Sequence, residues 1–314
     1  MKIFRHALLS LLLIPTLPAC AAEAATTLQP ASTSAALRLF DYNASPPLEL
    51  QVISTQKKGV LTIQEITYAS PKGGRVPATL IVPDGPGPFA GILLMHGLPG
   101  TRAVTLPEAE TLAQRGAVTL SIDAPFSRPG KIDDPRGPVQ LNEQDRDQQV
   151  QLIVDWRRGV DLLLSRKDVD AKRLAYVGRS YGGAMGGLLA GVEKRIKAFA
   201  LVVGDGGLVS HFSSADGGWS PLQQLEAEAR QRWLAAMEPI EPIRFVGRAA
   251  PAYLLFQNGR NDHLVPHAHA QAYQEAGSEP KTLRWYDADH SLNDQATHDR
   301  HVWLAERIGI AKPE

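Results

Sequence analysis

Two kinds of hydrophobic pattern divide the chain. Leu48 to Ser54, Val60 to Tyr68 and Arg75 to Val82 alternate apolar and polar residues and predict three strands of an antiparallel edge, closed by Pro83-Asp84-Gly85. The character changes at Phe89. Ala90-Gly91-Ile92-Leu93-Leu94-Met95 and Ala117-Val118-Thr119-Leu120-Ser121-Ile122 are almost unbroken apolar runs, as expected of strands covered on both faces. Arg173 to Val177, Ala198 to Val203, Ala252 to Gln257 and Thr282 to Tyr286 continue the series. Between them, Leu106 to Arg115, Asp145 to Arg166, Ala184 to Ala190 and Asn293 to Ile308 read as helices. The clearest is the second, where Val150, Ile153, Val154, Val160 and Leu164 recur near helical spacing.

Strands alternating with helices predict an α/β protein with a mostly parallel central sheet and helices on both faces. One stretch breaks the rhythm. Between Val203 and Pro251 lie Gly217-Gly218, an amphipathic helix over Leu222 to Met237, and Pro239 and Pro242. It reads as a small cap insertion over about 206–248. An insertion after a central strand would overhang the carboxyl ends of the strands, where open α/β sheets bind ligands.

The N-terminus stands apart. Lys2 and Arg5 precede a short apolar core, Ala7 to Ile14, followed by Pro15 and Pro18 and the small residues Ala19 to Ala22. This is the pattern of an export signal over 1–21, too short to span a bilayer, and it predicts a periplasmic or extracellular location. Cys20 is the sole cysteine, so no intramolecular disulfide can form. Leu17-Pro18-Ala19-Cys20 resembles a bacterial lipobox with proline at a middle position, which would make Cys20 a lipidated mature N-terminus. Ala19-Cys20-Ala21 is equally an ordinary A-x-A cleavage site, and both readings stand. Membrane attachment is expected only through such an anchor. Residues 22–47, rich in Ala, Ser, Thr and Pro, read as a flexible lead-in, and 48–314 as the folded domain.

Lys+Arg and Asp+Glu balance at 33 each, so a nucleic-acid partner is not expected. Oligomeric state is left open by the sequence.

The chemistry centres on Gly178-Arg179-Ser180-Tyr181-Gly182, a G-x-S-x-G pattern. In a chain with 27 glycines the pattern alone carries little, but it lies between a predicted strand and a predicted helix. A serine on such a tight turn points its hydroxyl out of the sheet, and the flanking glycines are needed because side chains there would meet neighbouring backbone. A serine hydroxyl needs a base, most often histidine, whose pKa suits proton transfer near neutrality. In this architecture an acid and a histidine follow the serine in chain order. Asp262 lies just beyond the strand Ala252 to Gln257, and His290 just beyond Thr282 to Tyr286. Asp287 and Asp289 are nearer His290 in sequence, but neighbours in a loop rarely aim at each other's rings. His267 and His269 sit at i, i+2 on a predicted helix and face different ways, and His298 with His301 has no evident third ligand, so no metal is expected. No cofactor-binding pattern occurs either, so no cofactor is expected.

His96-Gly97-Leu98-Pro99-Gly100, Gly178 to Gly182, Gly259 to Pro266 and Asp287 to Asn293 together resemble the serine α/β-hydrolases, in the dienelactone-hydrolase-like and acetyl-esterase-like group. The resemblance covers Val60 to the C-terminus. It implies the α/β-hydrolase fold with catalytic Ser180, Asp262 and His290. The oxyanion hole is then formed by the backbone N–H groups of Tyr181 and Leu98, with His96 holding the loop. The implied activity is hydrolysis of a small-molecule carboxylic ester, or a related acyl bond, through an acyl-enzyme. Gly178 to Gly183 also resembles the nucleophile turn of prolyl oligopeptidases, so a peptidase is one alternative and a non-catalytic exported binding protein another. Trp219, Trp233, Asp123 and the Pro125 to Pro138 loop are further candidates to border the site, although aromatics on an amphipathic helix more often serve packing, and a plain loop is the simpler reading of Asp123 and Pro125 to Pro138.

Overall fold

The computed structural model describes residues 33–129, 140–209 and 221–313. The export signal with Cys20, Trp219, and residues 130–139 of the proline-rich loop lie outside these. Among the described residues no helix is long and apolar enough to cross a membrane.

The three alternating segments form β1 (Gln51–Lys58), β2 (Leu61–Ala69) and β3 (Arg75–Pro83), an antiparallel meander. The continuous runs form β4 (Phe89–Met95), β5 (Ala117–Ile122), β6 (Val169–Arg179), β7 (Ala198–Val202), β8 (Tyr253–Gly259) and β9 (Lys281–Tyr286), paired in parallel. The nine described strands make one sheet in the order β1-β2-β3-β5-β4-β6-β7-β8-β9, with β3 antiparallel to β5. The first strand starts three residues later than its sequence pattern suggests and is exposed along its length.

The unbroken apolar runs have a two-sided explanation. Leu93, Leu120, Tyr176, Phe199, Leu201 and Phe256 point to one face, which is covered by α3 (Gln144–Ser165), α4 (Tyr181–Val192) and, at Phe256, α7 (His267–Ala276). Ile92, Leu94, Ala175, Val177, Ala200 and Val202 point to the other, against α2 (Leu106–Gln114) and α8 (Asp294–Ile308). Alternate residues of a strand face opposite ways, so a sheet covered on both sides needs apolar residues at every position.

The glycines of α4 show how closely that helix sits on the sheet and on α7 beside it. A Cβ on Gly183 would lie 2.6 Å from the Val202 carbonyl oxygen, and one on Gly187 would strike the Tyr273 hydroxyl. Each helical glycine costs about 1 kcal/mol against alanine, and here that cost permits the contact.

Two boundaries differ from the sequence reading. The lead-in over 22–47, expected to be flexible, carries a helix and a buried ring among its described residues. It forms α1 (Thr33–Arg38), and Phe40 is fully buried, edge-on to Phe245 at 5.7 Å. Arg157 and Arg158 of α3 donate to the carbonyls of Phe40 and Ala44 at 2.7 and 3.0 Å. Small polar composition suggested a tether, but one aromatic anchor and two backbone-binding arginines are enough to fasten it.

The stretch 206–248 is also not uniform. Its helix α5 (Ala227–Met237) is joined to the start of α3 by Trp233, whose Nε1–H donates to Asp145 Oδ2 at 2.7 Å. Its last part, α6 (Ile243–Val246), packs on α4 at Gly191 and belongs to the layer flanking the sheet rather than to a cap.

Candidate active site

Strand β6 ends at Arg179 and α4 begins at Tyr181, so the turn between them is Ser180 alone. Ser180 has φ 54° and ψ −117°, a conformation that L-residues adopt at a cost of about 1–3 kcal/mol. Its N–H donates to the Val202 carbonyl at 2.7 Å, and its carbonyl accepts from the Ala184 N–H at 2.9 Å, which together hold the bend. A Cβ on Gly178 would run into the Gly182 carbonyl, and one on Gly182 would lie 2.7 Å from the Met95 carbonyl. Both glycines of the motif are therefore required by close backbone approach, as their spacing predicted.

The loop after β4 lies against this turn. A Cβ on Gly97 would be 3.1 Å from Ser180 Cβ, so Gly97 lets the His96-Gly97-Leu98 backbone reach the serine. His96 is buried. Its Nε2 accepts from the Ala124 N–H at 3.2 Å, which leaves Nδ1 carrying the proton that it donates to the Gly97 carbonyl at 2.7 Å. Burial lowers its pKa against the opposing effect of the Gly97 bond, so a neutral ring braces the loop. Tyr181 turns its side chain into the core, edge-on to Phe126 at 5.5 Å, with its hydroxyl donating to Gln149 Oε1. What Tyr181 presents at the turn is its main chain, at the positive end of α4.

The loops after β8 and β9 meet beside each other. The Arg260 N–H donates to the Tyr286 carbonyl at 2.8 Å and the Asn261 N–H to the Ala288 carbonyl at 3.1 Å, which extends the strand pairing outward. At the end of that extension His290 Nδ1 and Asp262 Oδ2 are 2.8 Å apart. The Asp262 carboxylate is nearly inaccessible, while the His290 ring is 18% exposed. Oδ1 of Asp262 accepts from the N–H groups of Leu264 and Val265 at 2.8 and 3.0 Å. Burial alone would raise the Asp262 pKa. The bonds from His290 and the Val265 and Leu264 amides, with the attraction of a charged His290, outweigh burial and lower it, which keeps the acid ionised.

The competing acids are engaged elsewhere. Asp287 accepts from Asn261 Nδ2 at 2.9 Å, and Asp289 from the Ser291 N–H at 2.7 Å. Asp123 is buried and chelated by Arg102, whose N–H reaches Oδ1 at 2.7 Å and whose Nη1 reaches Oδ2. The Arg102 guanidinium also holds Glu65, so Asp123 braces the β2–β3 edge against β5. Trp233 is buried by packing. Pro125 to Ser127 form a buried turn. His267 stacks on Trp285 at 4.2 Å. Among the described residues no three His, Cys, Asp or Glu side chains are grouped to hold a metal.

Sequence reasoning missed Arg179, treated as a variable position of the motif. Its guanidinium donates to the carbonyls of His290 at 2.7 Å and Ser291 at 3.1 Å. A large cation inside a nucleophile turn was the available signal, but its target lies 111 residues away along the chain. Beside Arg179 is a cavity of about 70 Å³, also lined by Glu108, Arg300 and Thr105. There Arg300 Nε donates to Glu108 Oε1 at 2.7 Å.

A mostly parallel sheet with this strand order, a strained serine between strand and helix, and an Asp–His pair beyond the last two strands define an α/β hydrolase. Two family models each match more than half of the 314 residues: the prolyl oligopeptidase family over 136–307 and the acetyl xylan esterase family over 39–213. The chain belongs to this acetyl xylan esterase and prolyl oligopeptidase group, and is a serine hydrolase of the carboxylesterase type.

Solved structures show the same fold. An acetyl xylan esterase from Paenibacillus sp. R4 superposes with a TM-score of 0.71 at 20% identity, covering 88% of this chain and 93% of that one. Acetyl xylan esterase 1 from Thermoanaerobacterium sp. JW/SL YS485 gives 0.74 at 15% identity, covering 88% and 94%. A cold-adapted esterase from an Arctic intertidal metagenomic library gives 0.58 at 17%, covering 81% and 97%. No curated protein matches the chain significantly.

Proposed function

We propose that the enzyme cleaves carboxylic esters with short acyl groups, acetyl esters first, through an acyl-enzyme on Ser180. The observation that carries this reading is the 2.8 Å contact between His290 Nδ1 and Asp262 Oδ2, on a loop tied to the Ser180 turn. Asp262 accepts a hydrogen bond from Nδ1–H and holds the proton on that nitrogen, which leaves His290 Nε2 with a free lone pair. Nε2 takes the Ser180 hydroxyl proton as Oγ bonds to the ester carbonyl carbon. The N–H groups of Tyr181 and Leu98 stabilise the resulting oxyanion. Collapse breaks the carbon–oxygen bond to the alcohol, which leaves with the proton from His290. Water then attacks the acyl-enzyme with His290 again as base, releasing the acid and restoring Ser180.

The preference for acetyl groups is supported by the acetyl xylan esterase family match and by the names of the two acetyl xylan esterases that share the fold. The export signal read over 1–21 supports action outside the cytoplasm. The peptidase reading rests on the match to the prolyl oligopeptidase family. The non-catalytic reading is disfavoured by the Asp262–His290 pair and the strained Ser180 turn.

Ser180→Ala should lower turnover of 4-nitrophenyl acetate on the order of 10⁴-fold or more. Near-full activity in that variant would remove Ser180 from the mechanism. Faster cleavage of aminoacyl-arylamides than of acetyl esters by the wild-type chain would move the reading to a peptidase.

A further inference from the structure

The geometry points to Arg179 as a positioning residue for the catalytic histidine, an inference that rests on the proposed roles of Ser180 and His290. His290 sits in the loop between β9, which ends at Tyr286, and α8, which starts at Asp294. The bonds described above that steady this loop run to the Asp262 side, through Arg260 and Asn261; Gly259 also lies so close that a Cβ there would be 2.4 and 2.5 Å from the Ala288 and Asp289 carbonyl oxygens. Other bonds are internal, from Ser291 and Leu292 to Asp289. They set the distance from His290 to its acid, but they do not set the distance to the serine.

Among the described residues, the hydrogen bonds that join the loop to the Ser180 turn come from Arg179. It precedes the serine directly, and its main chain is locked into the sheet where Arg179 pairs with Val202. Nη2 reaches the carbonyl of His290 itself, at 2.7 Å, and Nη1 that of Ser291, at 3.1 Å. One planar guanidinium thus spans two successive carbonyls from a strand end one residue from the nucleophile. Its fork geometry makes that bridge more exact than an ammonium could.

Burial and the nearby Arg300 lower the Arg179 pKa, with Glu108, Asp262 and Asp289 opposing. An arginine stays charged under such pressure, whereas a lysine there would be easier to neutralise. Proton transfer needs Ser180 Oγ and His290 Nε2 at hydrogen-bond distance, and an error of about 1 Å can cost on the order of 10²-fold. Arg179 determines that separation.

The test is the rate at which a fluorophosphonate labels Ser180, followed in the wild type, Arg179→Met and Arg179→Lys. In that reaction Ser180 Oγ bonds to phosphorus, fluoride leaves, and His290 accepts the serine proton. Arg179→Met should reach wild-type final stoichiometry about 10- to 100-fold more slowly. Its kcat on 4-nitrophenyl acetate should fall in parallel, with KM changed less than about twofold. Arg179→Lys keeps the charge but reaches one carbonyl, and should recover part of the rate.

A labelling rate for Arg179→Met within about twofold of wild type overturns the inference. So does a reduced final stoichiometry with an unchanged rate in the competent fraction, because that signals a role in folding alone. If circular dichroism shows Arg179→Met unfolded, Arg179→Lys decides: slower labelling at full stoichiometry supports the bridge, and wild-type rate overturns it. Absence of label on Ser180 in the wild type would instead refute the nucleophile assignment, a separate result.

Discussion

His290 and Asp262 are 28 residues apart in the chain, yet their Nδ1 and Oδ2 atoms lie 2.8 Å apart. Adjacent parallel strands bring them together, since each residue stands on the loop that leaves the carboxyl end of its own strand. Asp289, the residue before His290, accepts from the Ser291 amide instead.

Replacing Asp262 should therefore disable the site, and replacing Asp289 should not. Asp262→Asn is expected to lower kcat on 4-nitrophenyl acetate on the order of 10³- to 10⁴-fold, because the amide favours the wrong histidine tautomer. Asp289→Asn should stay within about threefold of wild type. Steady-state kinetics on both variants checks the assignment, and the reverse order of effects would transfer the role to Asp289.

Gly187→Ala places a methyl on the Tyr273 hydroxyl, which donates to the Ala184 carbonyl at 2.8 Å. The side chain has no room to retreat, because Tyr273 is fully buried with its ring edge-on to Phe256 at 5.4 Å. A loss of about 1–3 kcal/mol is expected from overpacking, read by urea or thermal unfolding. Unchanged stability would mean that α4 and α7 can move apart at that point.

Glu108 controls part of the acid stability. Burial opposes its ionisation, but the charge and hydrogen bond of Arg300, with His301 beside it, bring its pKa from an ordinary 4.5 down to about 2. A depressed folded pKa means that the ion pair stabilises the fold fully above about 4.5, and that this contribution is lost as pH falls towards about 2. Glu108→Gln should be less stable than wild type at pH 7 by on the order of 1–2 kcal/mol. The gap should close as pH drops through that window. A gap independent of pH, in thermal unfolding of both proteins, would show that the carboxylate charge is not what stabilises.

Trp233→Phe removes the indole donor that joins α5 to Asp145. Asp145 keeps the amides of Gln140 and Leu141, both at 2.8 Å, but it is buried and its pKa is already raised by that burial. A loss of about 1–2 kcal/mol is expected, and α5 should become more protease-sensitive. Limited proteolysis with mass spectrometry reads the cut sites, and wild-type resistance over 227–237 would show that α5 is held by other contacts.

Much of the fold was legible in one dimension. The runs at Ala90 to Met95 and Ala117 to Ile122 announced strands covered on both faces, because period-two geometry leaves no polar position on such a strand. The glycines around Ser180 announced close backbone approach, which the Met95 and Gly182 carbonyls explain. Less legible was the segment around Phe40, whose low-complexity neighbourhood hid one buried ring. Also hidden was the division of 206–248, where four residues, Ile243 to Val246, pack on α4 rather than above the site. A short helix carries too few residues for its periodicity to show.

By itself the sequence determined the α/β class, the serine turn, and the order in which an acid and a histidine follow it. These are local matters of period, steric need and residue type. Tertiary structure supplied the contact itself: the outward continuation of the β8–β9 pairing brings Asp262 Oδ2 to 2.8 Å from His290 Nδ1. It also decided what Arg179 does. A side chain's partner across 111 residues depends on where two strands end in space, and no spacing along the chain encodes that.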